Sequence, residues 1–124
     1  MPETEVDLED TSRLIEKEMS DDMLRLQLKA MLSGMSEMHL SILKMGKLDG
    51  WPLCIEVPIK FDVKDMDWYI PKSQQTATYL ACLDLTGMGL LQVTKEINEG
   101  WTRKFDLRPA MLHDIFIKYL EGDF

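Results

Sequence analysis

Cysteine and histidine are scarce in this chain, with two of each among 124 residues. Cys54 and Cys82 are far apart, and no Cys-x-x-Cys or Cys/His spacing suited to zinc occurs. Reduced, structural thiols are the expectation. No apolar run approaches the roughly 20 residues that a membrane-spanning helix needs. The first residues are acidic, with no basic segment leading into an apolar one, so no signal peptide is expected. A cytoplasmic protein follows from that pattern. An excess of positive charge is also missing. The formal net charge is −8, from 14 basic and 22 acidic residues, and gives nucleic-acid binding no support.

The acidity is concentrated at one end. Residues 1–22 carry nine acids and two bases, a net of −7, which leaves −1 for the rest. Residues 1–12 therefore read as an acidic disordered tail and 13–124 as a single domain, long enough for a core of its own. Leu14, Ile15 and Met19 suggest a helical turn or two before Ser20.

What the chain has in quantity is methionine, ten residues of it, four of them in one stripe. Between residues 21 and 45, apolar side chains recur at Leu24, Leu28, Met31, Met35, Met38, Ile42 and Met45. The alternating spacing of four and three predicts one long amphipathic helix, about 37 Å at roughly 1.5 Å per residue. Ser20 suits its N-cap, Asp21 and Asp22 its first turn, and Gly46 its end. Gly34 is its weak point and a possible bend. Leu26, Leu32, Leu40 and Leu43 fall off the stripe, so such a helix is apolar on more than one side. A sheet covers only one side. The remainder calls for a second helix, the tail or another chain.

Asp49-Gly50 marks a turn. Leu53 to Val63 then alternates apolar and polar residues, as a half-buried strand does, with Pro58 placing it at an edge or a bulge. Residues 64–75 read as a long loop carrying Trp68, Tyr69 and Ile70, residue types enriched at binding hot spots. Residues 76–86, 90–97 and 101–107 read as three further strands, joined by Gly87-Met88-Gly89 and Asn98-Glu99-Gly100. A helix follows Pro109, with Met111, Leu112, Ile115, Phe116, Tyr119 and Leu120 on its apolar face. The predicted fold class is α+β: a long N-terminal amphipathic helix, a four-stranded antiparallel meander and a C-terminal helix.

No catalytic or cofactor motif emerges. Gly87-Met88-Gly89 leads into a predicted strand, whereas a phosphate loop must open a helix. Asp62, Asp65 and Asp67 lack the glycine and distal glutamate of a calcium loop. Arg103, Lys104 and Arg108 read as a solvated face. His39 lies near Ser36 and Ser41, and His113 precedes Asp114, but no nucleophile sits in a recognisable elbow. Asp84, inside an apolar stretch, is the acid that most needs a partner or a strand end.

The pattern points to a non-catalytic protein–protein interaction module with a protein partner. It would self-associate, as a homodimer, through Leu28, Met31, Met35, Met38 and Ile42, and present Trp68, Tyr69 and Ile70. In size, acidity and helix–sheet–helix order the chain is similar in general character to type III secretion chaperones, which implies capture of an extended peptide by strand addition. A viral or phage-encoded structural or host-targeting protein fits the same features.

Overall fold

A computed structural model describes residues 21–124. The acidic tail, the turns before Ser20 and the Ser20 cap lie outside the described residues. Helix α1 spans Asp21–Ser33 and α2 spans Glu37–Asp49. The single helix expected over 21–45 is thus two. Gly34 and Met35 close α1 with tight bonds to Met31 and Leu32 carbonyls, at 3.2 and 3.0 Å. Ser36, with φ −95° and ψ 173°, then starts α2 through a capping box. Its hydroxyl faces the amide of His39, while the His39 ring accepts from the Ser36 amide at 2.9 Å. A glycine followed two residues later by a capping serine outweighed the continuity of the apolar stripe.

Strand β1, Leu53–Pro58, follows a cis Trp51–Pro52 peptide. The alternation predicted to run to Val63 is interrupted at Ile59, because Pro58 has no amide to continue the ladder. The Ile59 amide instead donates to the Trp101 carbonyl at 2.9 Å. Beyond it, β2 (Lys60–Asp62), from the end of the expected strand, and β3 (Asp67–Tyr69), from the expected loop, make a separate small hairpin. A 3-10 turn at Lys72–Gln74 leads to α3, Ala77–Gly87. Then come β4 (Leu91–Glu99), β5 (Thr102–Pro109) and α4 (His113–Leu120).

Residues 76–86 are therefore a helix, where a strand was expected. Thr76 caps it, its hydroxyl accepting from the Tyr79 amide at 3.1 Å. Ala81, Cys82 and Leu85 are buried, whereas Leu80 and Leu83 are exposed. That is a spacing of one, three and four rather than two. Because residues 79–83 are apolar without a break, the stretch carried little periodic signal of either kind. The sheet loses its fourth strand accordingly. It is three-stranded and antiparallel in the order β1-β5-β4, with β5 central. A bulge at Thr94 interrupts β4 between Val93 and Lys95.

The helices pack on this sheet around a core built from Leu24 and Leu28 of α1, Ile42 and Leu43 of α2, Leu85 of α3 and Phe116 of α4. Each of these is at most 2% exposed. Among the described residues, no helix is long and apolar enough to cross a membrane.

Candidate protein-interaction surface

The hairpin β2–β3 sets Phe61 directly opposite Trp68. Their rings meet edge to face at 5.2 Å, and Trp68 meets Trp101 in the same way at 5.3 Å. Trp101 sits in the β4–β5 turn, which Gly100 closes with φ +63°. Such geometry aligns the positive ring edge with the negative face of its neighbour. The three rings form a continuous ridge, packed too closely for a ligand to lie between them. Arg103 ties the hairpin to the sheet, donating through Nη2 to the Trp68 carbonyl at 3.3 Å and through Nε to Asn98 at 2.8 Å.

The ridge is unevenly covered: Trp68 at its centre is half-buried, whereas Trp101 is 69% exposed, Val63 75% and Met66 71%, and Tyr69 is exposed as well. Ile70 is half-buried. The acids beside the ridge are occupied by the turn. Asp62 accepts from the amides of Lys64 and Asp65, at 2.9 and 3.4 Å, and Asp67 accepts from the Trp68 amide at 2.8 Å. Met66 adopts φ +52° between them. No cluster of His, Cys, Asp and Glu that could hold a metal ion occurs among the described residues.

The methionine stripe is divided between inside and outside. Leu28 and Ile42 lie wholly in the protein's own core. Met31 and Met35 are half-buried against that core. Met38 and Met45 face solvent on α2, with Leu48 one turn further on at 73% exposure. The outward stripe is therefore Met38, Met45 and Leu48. A shallow groove of about 280 Å³ runs between α2 and α4, with Leu40, Leu43, Ile117 and Leu120 among its lining residues.

Ser36, His39 and Asp84 also come together, across 48 residues of sequence. The Ser36 Oγ lies 2.7 Å from His39 Nδ1, and His39 Nε2 lies 2.8 Å from Asp84 Oδ2. A hydrogen-bonded Ser–His–Asp chain can serve nucleophilic catalysis. Here Nδ1 also accepts the Ser36 amide, which fixes the tautomer with the proton on Nε2, donated to Asp84. The serine is committed to the helix cap, and the groove between α2 and α4 does not border its hydroxyl. The trio caps α2 and staples it to α3. Asp84 thus finds the partner its apolar surroundings called for, on an exposed helix face.

His113 and Asp114 are a weaker pair, at 3.1 Å. The His113 ring makes a T-shaped contact with Trp51 at 5.5 Å, and its Nε2 is buried with no partner among the described residues. Of the basic group, Lys104 bridges Glu99 and Glu56 at 3.1 and 3.8 Å, and the Glu99 bond holds its ammonium above the usual lysine range. Cys54 is exposed and its thiol donates to Asp106 at 3.1 Å, a bond that raises its pKa. Burial alone pushes Cys82 up to about 11.

Comparison with known proteins gives no family model, no curated protein and no solved structure that matches this chain. The ridge joins Trp68, singled out in the sequence, to Phe61 and Trp101, which fall within stretches expected as strands. Only the pairing of β2 with β3 and the approach of the β4–β5 turn bring these three together.

Proposed function

We propose that this protein is an interaction module that docks onto a protein partner through the Phe61–Trp68–Trp101 ridge. The exposure of Trp101 carries the reading. A tryptophan offers roughly 200 Å² for burial, and leaving 69% of it in water forgoes about 3 kcal/mol at roughly 25 cal/mol per Å². Rigid, clustered aromatic side chains lose little entropy on binding and dominate interface energetics. Val63, Met66 and Tyr69 widen the apolar surface around them. Self-association through Met38, Met45 and Leu48 on α2 is the second element, because a seven-plus-three spacing places all three on one helix face.

Two experiments test these elements separately. The double variant Trp101→Ala/Tyr69→Ala, presented as bait in extract of the source cells, is expected to lose proteins that the wild-type chain captures. Equal capture by both baits would overturn the docking surface. Light scattering coupled to size exclusion is expected to give wild type a mass near twice 14.4 kDa and Met45→Glu a mass near 14.4 kDa. A monomeric wild type at all concentrations would remove the homodimer and leave the ridge reading standing.

A further inference from the structure

We propose that β4 pairs edge to edge with the β4 of a second copy of this chain, centred on Ile97. In the order β1-β5-β4, β4 is an outer strand, and every residue from Gln92 to Glu99 is exposed. Its ladder with β5 uses one side of the backbone, and among the described residues no strand pairs with the other. A free edge of this kind is a template for another strand. The opposite edge is a poorer template, since β1 is shorter and carries Pro58.

Beyond the bulge at Thr94, the strand is regular from Lys95 to Glu99. The register with β5 fixes where each side chain stands, because residues opposed in a ladder share a face. Lys95, Ile97 and Glu99 stand opposite Asp106, Lys104 and Thr102, on the face away from buried Phe105 and Leu107. Glu96 and Asn98 stand on the other face, opposite Phe105 and Arg103.

For the same reason a symmetric antiparallel pair must be centred on one residue that faces its own copy. Centring on Lys95 or on Glu96 sets like charges against each other. Centring on Asn98 leaves Ile97 facing an acid, Glu99. Centring on Ile97 sets that residue against its copy, Lys95 against Glu99, and Glu96 against Asn98. Each of these complementary pairs then occurs twice, once in each half.

The groups involved are available for it. Lys95 and Glu96 make no ion pair among the described residues. Glu99 accepts from Lys104 through Oε1 at 3.1 Å, which leaves Oε2 for a second ammonium. Asn98 accepts from Arg103 Nε through its Oδ1 at 2.8 Å, which leaves its amide N–H groups to donate to a carboxylate. Five residue pairs along an edge bury less than the roughly 1,200 Å² of a standard interface. The pairing therefore belongs to high protein concentration, and it is separate from the Met38, Met45 and Leu48 contact on α2.

Disulfide trapping tests the register, in a full chain carrying Cys54→Ser so that the exposed native thiol does not interfere. Facing copies of residue 97 have Cα atoms about 4.5–5.5 Å apart, within disulfide reach. Two copies of residue 92 lie about 30 Å apart in the same register. Under copper–phenanthroline oxidation, Ile97→Cys is expected to give a linked species near twice 14.4 kDa, at least about tenfold faster than Gln92→Cys. Adding Lys95→Glu is expected to slow the linkage severalfold, whereas adding Met45→Glu is expected to leave it unchanged. Equal rates at 97 and 92, or a rate that ignores Lys95→Glu, would overturn the proposal. So would a rate that falls with Met45→Glu, which would assign the contact to α2. Should Ile97→Cys fail to fold, hydrogen exchange of the wild-type chain decides. Slower exchange at 95–99 with rising protein concentration is expected, and concentration-independent exchange there would overturn the proposal.

Discussion

Replacing Gly46 with alanine tests how tightly α2 is fixed to its surroundings. A β-carbon built at Gly46 falls within the Trp51 indole, and its three nearest neighbours are all atoms of that ring. The same indole makes a T-shaped contact with the His113 ring at 5.5 Å. A shift of the indole to admit the β-carbon therefore disturbs that contact. Overpacking of this kind costs about 1–3 kcal/mol, and loss of the aromatic pair adds about 0.5–1.5 kcal/mol. Against this stands the gain of about 1 kcal/mol from removing a glycine from a helix interior. The sum is a net loss of about 0.5–3.5 kcal/mol, or a fall in Tm of roughly 2–14 °C for a domain of this size. Gly87→Ala, at the end of α3, is the control, since nothing lies within 4 Å of its built β-carbon. Urea titration of both variants against wild type, followed by tryptophan fluorescence, checks the reasoning. A Gly46→Ala protein as stable as wild type, or more so, would show that Trp51 is not clamped between α2 and α4.

The remaining predictions concern other parts of the structure. His39→Ala removes one half of the α2 capping box and the link to Asp84, and should lower stability by about 1–2 kcal/mol in denaturant titration. Phe116→Ala empties the fully buried centre of the core and should cost about 3–5 kcal/mol. The two thiols should separate cleanly on alkylation, with Cys54 modified in the native protein and Cys82 only on unfolding. Asp106→Asn should speed native modification of Cys54, because the carboxylate that holds its proton is gone. A thiol held near 11 in the fold against 9.0 in the open chain contributes stability that is complete below pH 9. That contribution is lost as pH rises towards 11, so Cys82→Ala should flatten the alkaline limb of a stability–pH curve.

Sequence pattern revealed the elements whose signals are local. The alternation from Leu53, the Asn98-Glu99-Gly100 turn and the apolar face after Pro109 each matched an element in the structure. Two failures share a physical origin. The Met-rich stripe was continuous across Gly34, and only the Ser36–His39 capping pair, visible as Ser-x-x-His but not weighed, announced the break. Residues 79–83 were apolar without a break, so burial followed the tertiary packing of α3 rather than any periodicity. Thr76 was the one local cue to a helix start. The ridge and the Ser36–His39–Asp84 staple depend on the Trp68–Trp101 and His39–Asp84 contacts, 33 and 45 positions apart, and spacing within a single element does not reveal these. Trp68 and Tyr69 were legible as candidates because aromatic residues in a long polar loop need either a core or a partner.

The most direct test of the docking ridge is site-specific photo-crosslinking in the source cells. A photoreactive phenylalanine analogue is placed at Met66, beside the ridge, and in a parallel chain at Lys29, an exposed position on α1. The account predicts a discrete heavier adduct from position 66, absent from position 29 and absent when Trp101→Ala is added. No adduct at 66, or the same adducts from both positions, would contradict it.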